Sequence, residues 1–109
     1  MNWIDLQTDE QLNNIKLQSF KNPAVIFKHS TRCSISSVAK SRLERVAPSP
    51  LADFYLLDLI KYRSISNRIA EEFSIWHESP QVLIVKDGKC IYDESHSAIS
   101  MNEINAQLN

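Results

Sequence analysis

Gly88 is the only glycine in this 109-residue chain. A phosphate-cradling loop or a dinucleotide-binding turn needs several glycines close together, so both are excluded. Cysteine is scarce too, with Cys33 and Cys90 alone. Together with three histidines they make a poor zinc set, and no metal site is expected. Four prolines leave no stretch that reads as a disordered linker. No apolar run approaches the length of a bilayer span. The opening Met1-Asn2-Trp3-Ile4-Asp5 lacks the basic-then-apolar pattern of a secretory signal. Neither sign of charge dominates. A net charge of −1, with both signs interspersed, gives no footprint for nucleic acid or an anionic membrane. These absences point to a cytoplasmic protein with two reduced thiols rather than a structural disulfide.

What is present suits one domain over residues 1–109. Apolar residues make up 43% of the chain, enough for a packed core. Thr8 and Gln11 form a capping-box pattern, predicting a helix over residues 8–19. Ala24-Val25-Ile26-Phe27 reads as a strand buried on both faces. After the polar turn His29-Ser30-Thr31-Arg32 and then Cys33, apolar residues recur at Ile35, Val38, Ala39, Leu43 and Val46. That spacing predicts one face of an amphipathic helix, which Pro48 and Pro50 close. Phe54-Tyr55-Leu56-Leu57 is a second strand, and Tyr62, Ile65, Ile69 and Phe73 mark a third helix. A third strand, residues 81–85, and a fourth, residues 89–93, flank Asp87-Gly88, the strongest short hairpin signal. Ser100 and Glu103 cap a last helix over residues 101–108, with Ile99 and Ile104 as its hydrophobic staple.

The order is α-β-α-β-α-β-β-α. The central β-α-β needs a right-handed crossover and parallel strands, while the hairpin adds an antiparallel pair. The fold class expected is α/β, a thioredoxin-like three-layer α/β/α arrangement on a four-stranded mixed sheet.

Cys33 falls where the first of these strands ends and a helix begins. Unpaired amides and the macrodipole at a helix N-terminus favour an anion, and hence the thiolate that attacks disulfides. Arg32, His29 and Lys28 add nearby positive charge, with the alternative that His29 is a polar residue closing the strand. The motif Cys33-Ser34-Ile35-Ser36 is a C-x-x-S. Ser36 cannot resolve a mixed disulfide, although its hydroxyl is a potential donor to the thiolate. Such a site stalls at the mixed disulfide and needs an external thiol, which points to removal of a low-molecular-weight thiol from a modified protein. Ser79-Pro80 precedes an apolar strand. Local statistics favour a trans bond there; the thioredoxin layout puts a cis-proline facing the cysteine at this place.

Three stretches carry a resemblance: Lys28-His29-Ser30-Thr31-Arg32-Cys33-Ser34-Ile35-Ser36, His77-Glu78-Ser79-Pro80-Gln81, and Ser95-His96-Ser97-Ala98-Ile99. Together they resemble the monothiol bacilliredoxins of the bacillithiol system. The resemblance implies a cytosolic bacterial thiol–disulfide oxidoreductase acting on bacillithiol mixed disulfides of client proteins. By that likeness Cys33 is the nucleophile and Ser79-Pro80 the substrate wall. Cys33 and Ser36 are the candidate catalytic residues; Arg32, Ser34, Ser79 and Pro80 are the candidate substrate-binding ones. The small thiol is a co-substrate, and no tightly bound cofactor is expected. One departure stands out, since Ser34 occupies the place where the family commonly has proline.

Two other functions fit the same layout. One is a non-catalytic thioredoxin-fold binding module that uses the Pro80 edge. The other is a glutaredoxin-like iron–sulfur carrier, ligating a cluster with one cysteine and a bound thiol across a dimer. Cys90 reads as a strand cysteine with a structural role; the alternative is a resolving thiol. His77 and His96 read as hydrogen-bonding histidines, and Trp3 and Trp76 as core or rim anchors.

Overall fold

The structure is a computed structural model that describes all 109 residues. Its strands are β1 (Ile4–Asp5), β2 (Ala24–His29), β3 (Asp53–Asp58), β4 (Gln81–Lys86) and β5 (Lys89–Ser95). Its helices are α1 (Asp9–Gln18), α2 (Ser34–Glu44), α3 (Arg63–Glu72) and α4 (Met101–Leu108), with a 3₁₀ turn at His96–Ala98. No helix is long and apolar enough to cross a membrane.

The sheet runs β1-β3-β2-β4-β5. The α2 crossover makes β2 and β3 a parallel pair, and β4 returns antiparallel to β2. Asp87 and Gly88 both take positive φ, 53° and 74°, as a type I′ hairpin requires. The Gly88 N–H donates to Ser19 Oγ at 2.8 Å, pinning this turn to the end of α1. A β-carbon at Gly88 would meet the Phe20 ring at 3.1 Å. The α1 capping box forms in full, with Gln11 N–H on Thr8 Oγ1 and Thr8 N–H on Gln11 Oε1.

The sheet has five strands where four were expected. The addition is β1, whose two residues pair in parallel with Tyr55 and Leu56 of β3. A strand that short has no periodicity to read, and its pairing is created by the fold.

Side chains alternate across β2 with a period of two. Val25 and Phe27 pack with Ala39 and Leu43 of α2 and Met101 and Ile104 of α4. Ala24 and Ile26 pack on the opposite face with Leu12 and Ile15 of α1 and Ile65 and Ile69 of α3. Three layers result, and all six β2 residues are buried.

One helix buries only part of the face its apolar spacing predicts: Ala39 and Leu43 lie in the core as expected, with Val46 packed against it. Helix α2 buries Ser36, Ala39 and Leu43. Ile35 and Val38, expected in the core, are 60% and 58% exposed. Positions 36, 39 and 43 also lie at three- and four-residue spacing. This arrangement places a serine at the head of the buried face, and that serine shapes the site.

Candidate functional site

Strand β2 ends at His29, and the chain turns through Ser30–Arg32 into α2. Cys33 is the N-cap, with extended backbone at φ −111° and ψ 121°. Its N–H donates to the Ser30 carbonyl at 3.2 Å, and its own carbonyl accepts from Ser37 N–H at 3.1 Å. The backbone therefore fixes Cys33 on both sides. Its side chain makes no cap hydrogen bond, and the first turn of α2 carries no acidic residue. The half-buried sulfur thus stands at the positive end of a helix, with no carboxylate in that turn to oppose an anion.

Ser36 is fully buried. Its Oγ lies 2.6 Å from His29 Nδ1 and accepts the Ser30 N–H at 3.0 Å. The expected hydrogen bond from Ser36 to the Cys33 sulfur is not formed. The hydroxyl instead ties the end of β2 and the Ser30 turn to α2. Burial, followed by the charge of Lys40, pushes the His29 ring below its ordinary 6.5. His29 is therefore neutral near pH 7 and adds no positive charge beside Cys33, contrary to expectation.

Lys28 also departs from its expected role. Side-chain alternation turns it to the α3 side of the sheet, where it is completely buried. Its Nζ donates to the Ser66 carbonyl at 3.3 Å and meets His77 Nδ1 at 3.0 Å. Burial, followed by the charge of Arg63, lowers Lys28 to about 8. Burial and the same two cations, Lys28 and Arg63, lower His77. Of the three charges expected around Cys33, Arg32 remains, exposed and without an ion pair.

The Ser79–Pro80 peptide bond is cis, as the thioredoxin layout implies. Gln81 pairs with Lys28, so Pro80 stands level with His29 at the end of β2 where the cysteine turn departs. Pro80 is buried and Ser79 half-buried. The next residue back, Glu78, reaches His96 at 3.5 Å and so connects this loop to the β5–α4 turn. Ser34 is exposed at the start of α2 and lines a hollow of about 190 Å³ with Ile35, Val38, Arg42 and His96. The exposure of Ile35, Val38 and Trp76 (89% for the last) was not foreseen, although the polar partner of Ser36 decides it for α2.

Cys90 is remote from this site. Val85 pairs with Ala24 on one side and Cys90 on the other. Cys90 is therefore level with the first residue of β2, whereas Cys33 lies beyond the last. The offset is about 17 Å along the strands at about 3.3 Å per residue. A disulfide needs Cα atoms within about 7 Å. Both cysteines are free, and this register rules out Cys90 as a resolving thiol within one folded chain. Its S–H donates to the Tyr92 carbonyl at 3.4 Å, and burial raises its pKa. No group of histidine, cysteine and carboxylate side chains is arranged to hold a metal ion.

This sheet order, with a cysteine at the α2 cap and a cis-proline entering the neighbouring strand at the same end of the sheet, defines the thioredoxin-fold class. A solved thioredoxin-fold protein with a proposed oxidoreductase role is similar at 26% identity and TM-score 0.82, over 96% of this chain and 91% of that one. The thioredoxin of Malassezia sympodialis matches at 17% identity and TM-score 0.73, over 98% and 88%. That of Fasciola hepatica matches at 18% and 0.74, over 96% and 98%. These two establish the fold alone. The family model described as monothiol bacilliredoxin BrxC matches residues 4–104. The chain belongs to that family of thiol oxidoreductases.

Proposed function

We propose that the protein is a cytoplasmic bacterial monothiol oxidoreductase that removes a low-molecular-weight thiol, bacillithiol, from mixed disulfides of client proteins. The observation that supports this reading best is the isolation of Cys33. It caps α2 as a free thiol with no side-chain cap hydrogen bond, Ser36 stands where a dithiol motif has its second cysteine, and Cys90 is level with the far end of β2. A thiolate placed this way forms a mixed disulfide but has no internal thiol to complete the cycle.

The reaction is two exchanges. The Cys33 thiolate attacks the sulfur of the small thiol in a protein mixed disulfide. A Cys33–thiol disulfide forms, the client disulfide breaks, and the client leaves as thiolate. A second molecule of the small thiol, as thiolate, then attacks the sulfur of the bound thiol. The symmetrical small disulfide leaves, and Cys33 returns as thiolate. Two electrons pass from the small thiols to the client disulfide. Arg32 supplies positive charge beside the sulfur. Ser34 and the backbone at Ser79–Pro80 line the site for an extended substrate segment. Ser36 acts as a positioning residue, through His29 and the Ser30 turn.

The test is release of client thiol from a bacillithiol-modified protein in the presence of bacillithiol. Cys33→Ser abolishes release while Cys90→Ser retains it. Equal release by Cys33→Ser overturns the proposal. A binding module is favoured instead if Cys33→Ser holds clients as tightly as the parent and the parent catalyses nothing.

A further inference from the structure

Helix α2 leads away from Cys33 with an outward face that is both apolar and basic. Ile35, Val38, Arg42 and Arg45 follow one another at three- and four-residue spacing and stack on one side of a helix. Ile35 and Val38 are more than half exposed. The hollow that begins at Ser34 shares Val38 and Arg42 with a second, and the second shares Arg42 and Arg45 with a third. From Cys33 to Arg45 this groove runs about 18 Å at about 1.5 Å per residue.

The charge along it has one sign. Arg32, Arg42 and Arg45 make no ion pair, whereas Arg68 on α3 contacts both Asp9 and Glu72. Arg42 makes one contact, from Nη1 to the Ser97 carbonyl at 3.4 Å, which leaves most of its donors open. The only carboxylate on α2, Glu44, is held by Lys40 and the Trp3 indole. At the rim, Glu78 Oε2 lies 3.5 Å from His96 Nε2, an ion pair only when that histidine is protonated. In a chain of net charge −1, three unpaired guanidinium groups in and beside one apolar groove are a local asymmetry, and such a surface attracts its opposite.

We propose that this outer face of α2 docks an acidic segment of the client polypeptide, with apolar residues on Ile35 and Val38 and carboxylates on Arg42 and Arg45. The assignment rests on the function proposed above, because it brings the client's modified cysteine to Cys33. It adds a selectivity for clients that the thiol chemistry alone does not have.

The experiment uses two peptides, one acidic and one neutral, each carrying bacillithiol in a mixed disulfide. Transfer of the thiol to Cys33 is timed for the parent and for the double variant Arg42→Glu/Arg45→Glu. With the acidic peptide the rate falls roughly tenfold or more in the variant, and by a similar factor for the parent between about 0.02 M and about 0.5 M salt. With the neutral peptide it stays within about twofold. An equal fall for both peptides places the arginines on the small thiol rather than the client and overturns the proposal, as does no fall for either. Arg42→Gln/Arg45→Gln, which removes charge without reversing it, is the second variant should the first fail to fold. Binding of the reduced acidic peptide to Cys33→Ser, read by fluorescence, is measured separately. Arginine-dependent binding with no thiol transfer in the parent overturns the proposed chemistry and leaves the docking face standing.

Discussion

His29 Nδ1 and Ser36 Oγ lie 2.6 Å apart, sealed between β2 and α2. The same hydroxyl receives the Ser30 N–H, so one oxygen joins the strand, the turn and the helix around Cys33. Replacing Ser36 with alanine leaves a ring nitrogen and a backbone donor without this partner. Loss of such buried hydrogen bonds costs about 1–3 kcal/mol. Denaturant unfolding of Ser36→Ala should show a loss in that range. It should also slow reaction at Cys33 through a displaced turn. A variant as stable and as reactive as the parent contradicts the positioning role.

Lys28 gives a pH signature. Its folded-state value is about 8 against an ordinary 10.5. Below about pH 8 both folded and unfolded chains hold the proton. Between about 8 and 10.5 the unfolded chain binds more protons, so this group makes stability rise with pH. Over the whole window the rise is about 3 kcal/mol, at 1.36 kcal/mol per pKa unit. Lys28→Met lacks it. The stability of the methionine variant relative to the parent should be most favourable below pH 8 and decline towards 10.5. A difference that is flat with pH contradicts the buried cation.

His29 and His77 act in the opposite part of the scale. Both are lowered, first by burial. The unfolded chain therefore takes up protons before the folded one as pH falls below about 6.5. Their contribution to stability is complete above that point and is lost as pH drops through the folded values. NMR titration should find both rings less protonated than an exposed histidine at the same pH.

The two thiols should separate under alkylation. Cys90 is partly buried, its pKa is raised, and its proton is held by the Tyr92 carbonyl. Cys33 carries no such bond. Iodoacetamide should label Cys33 first, and mild oxidation should give no bond between Cys33 and Cys90 in the monomer. Detection of that bond in folded protein contradicts the strand register.

Much of this site was legible in the residues. The polar turn between an apolar run and an amphipathic helix located Cys33 at a helix start, whereas Ser79-Pro80 by itself read as a trans proline opening a strand and only the thioredoxin layout made it cis. The rest depended on contacts made only after folding. Strand β1 is two residues long and exists because Tyr55 and Leu56 offer it an edge. Helix α2 buries Ala39 and Leu43 as its spacing predicts, but at its start Ser36 is buried in place of Ile35, through contacts with His29 and Ser30 that hydrophobic spacing does not show. Lys28 followed an apolar run and read as a charge near the cysteine. Strand alternation turned it away, into a pocket beside Ser66 and His77.

Intact-mass analysis and peptide mapping after exposure to a bacillithiol-modified protein test the central claim most directly. With no added small thiol, the account predicts that the chain gains the mass of one bacillithiol, mapped to Cys33, as the client loses it. Addition of bacillithiol then restores the unmodified mass. Transfer to Cys90, or a modified client that keeps its thiol in the presence of the reduced chain, contradicts it.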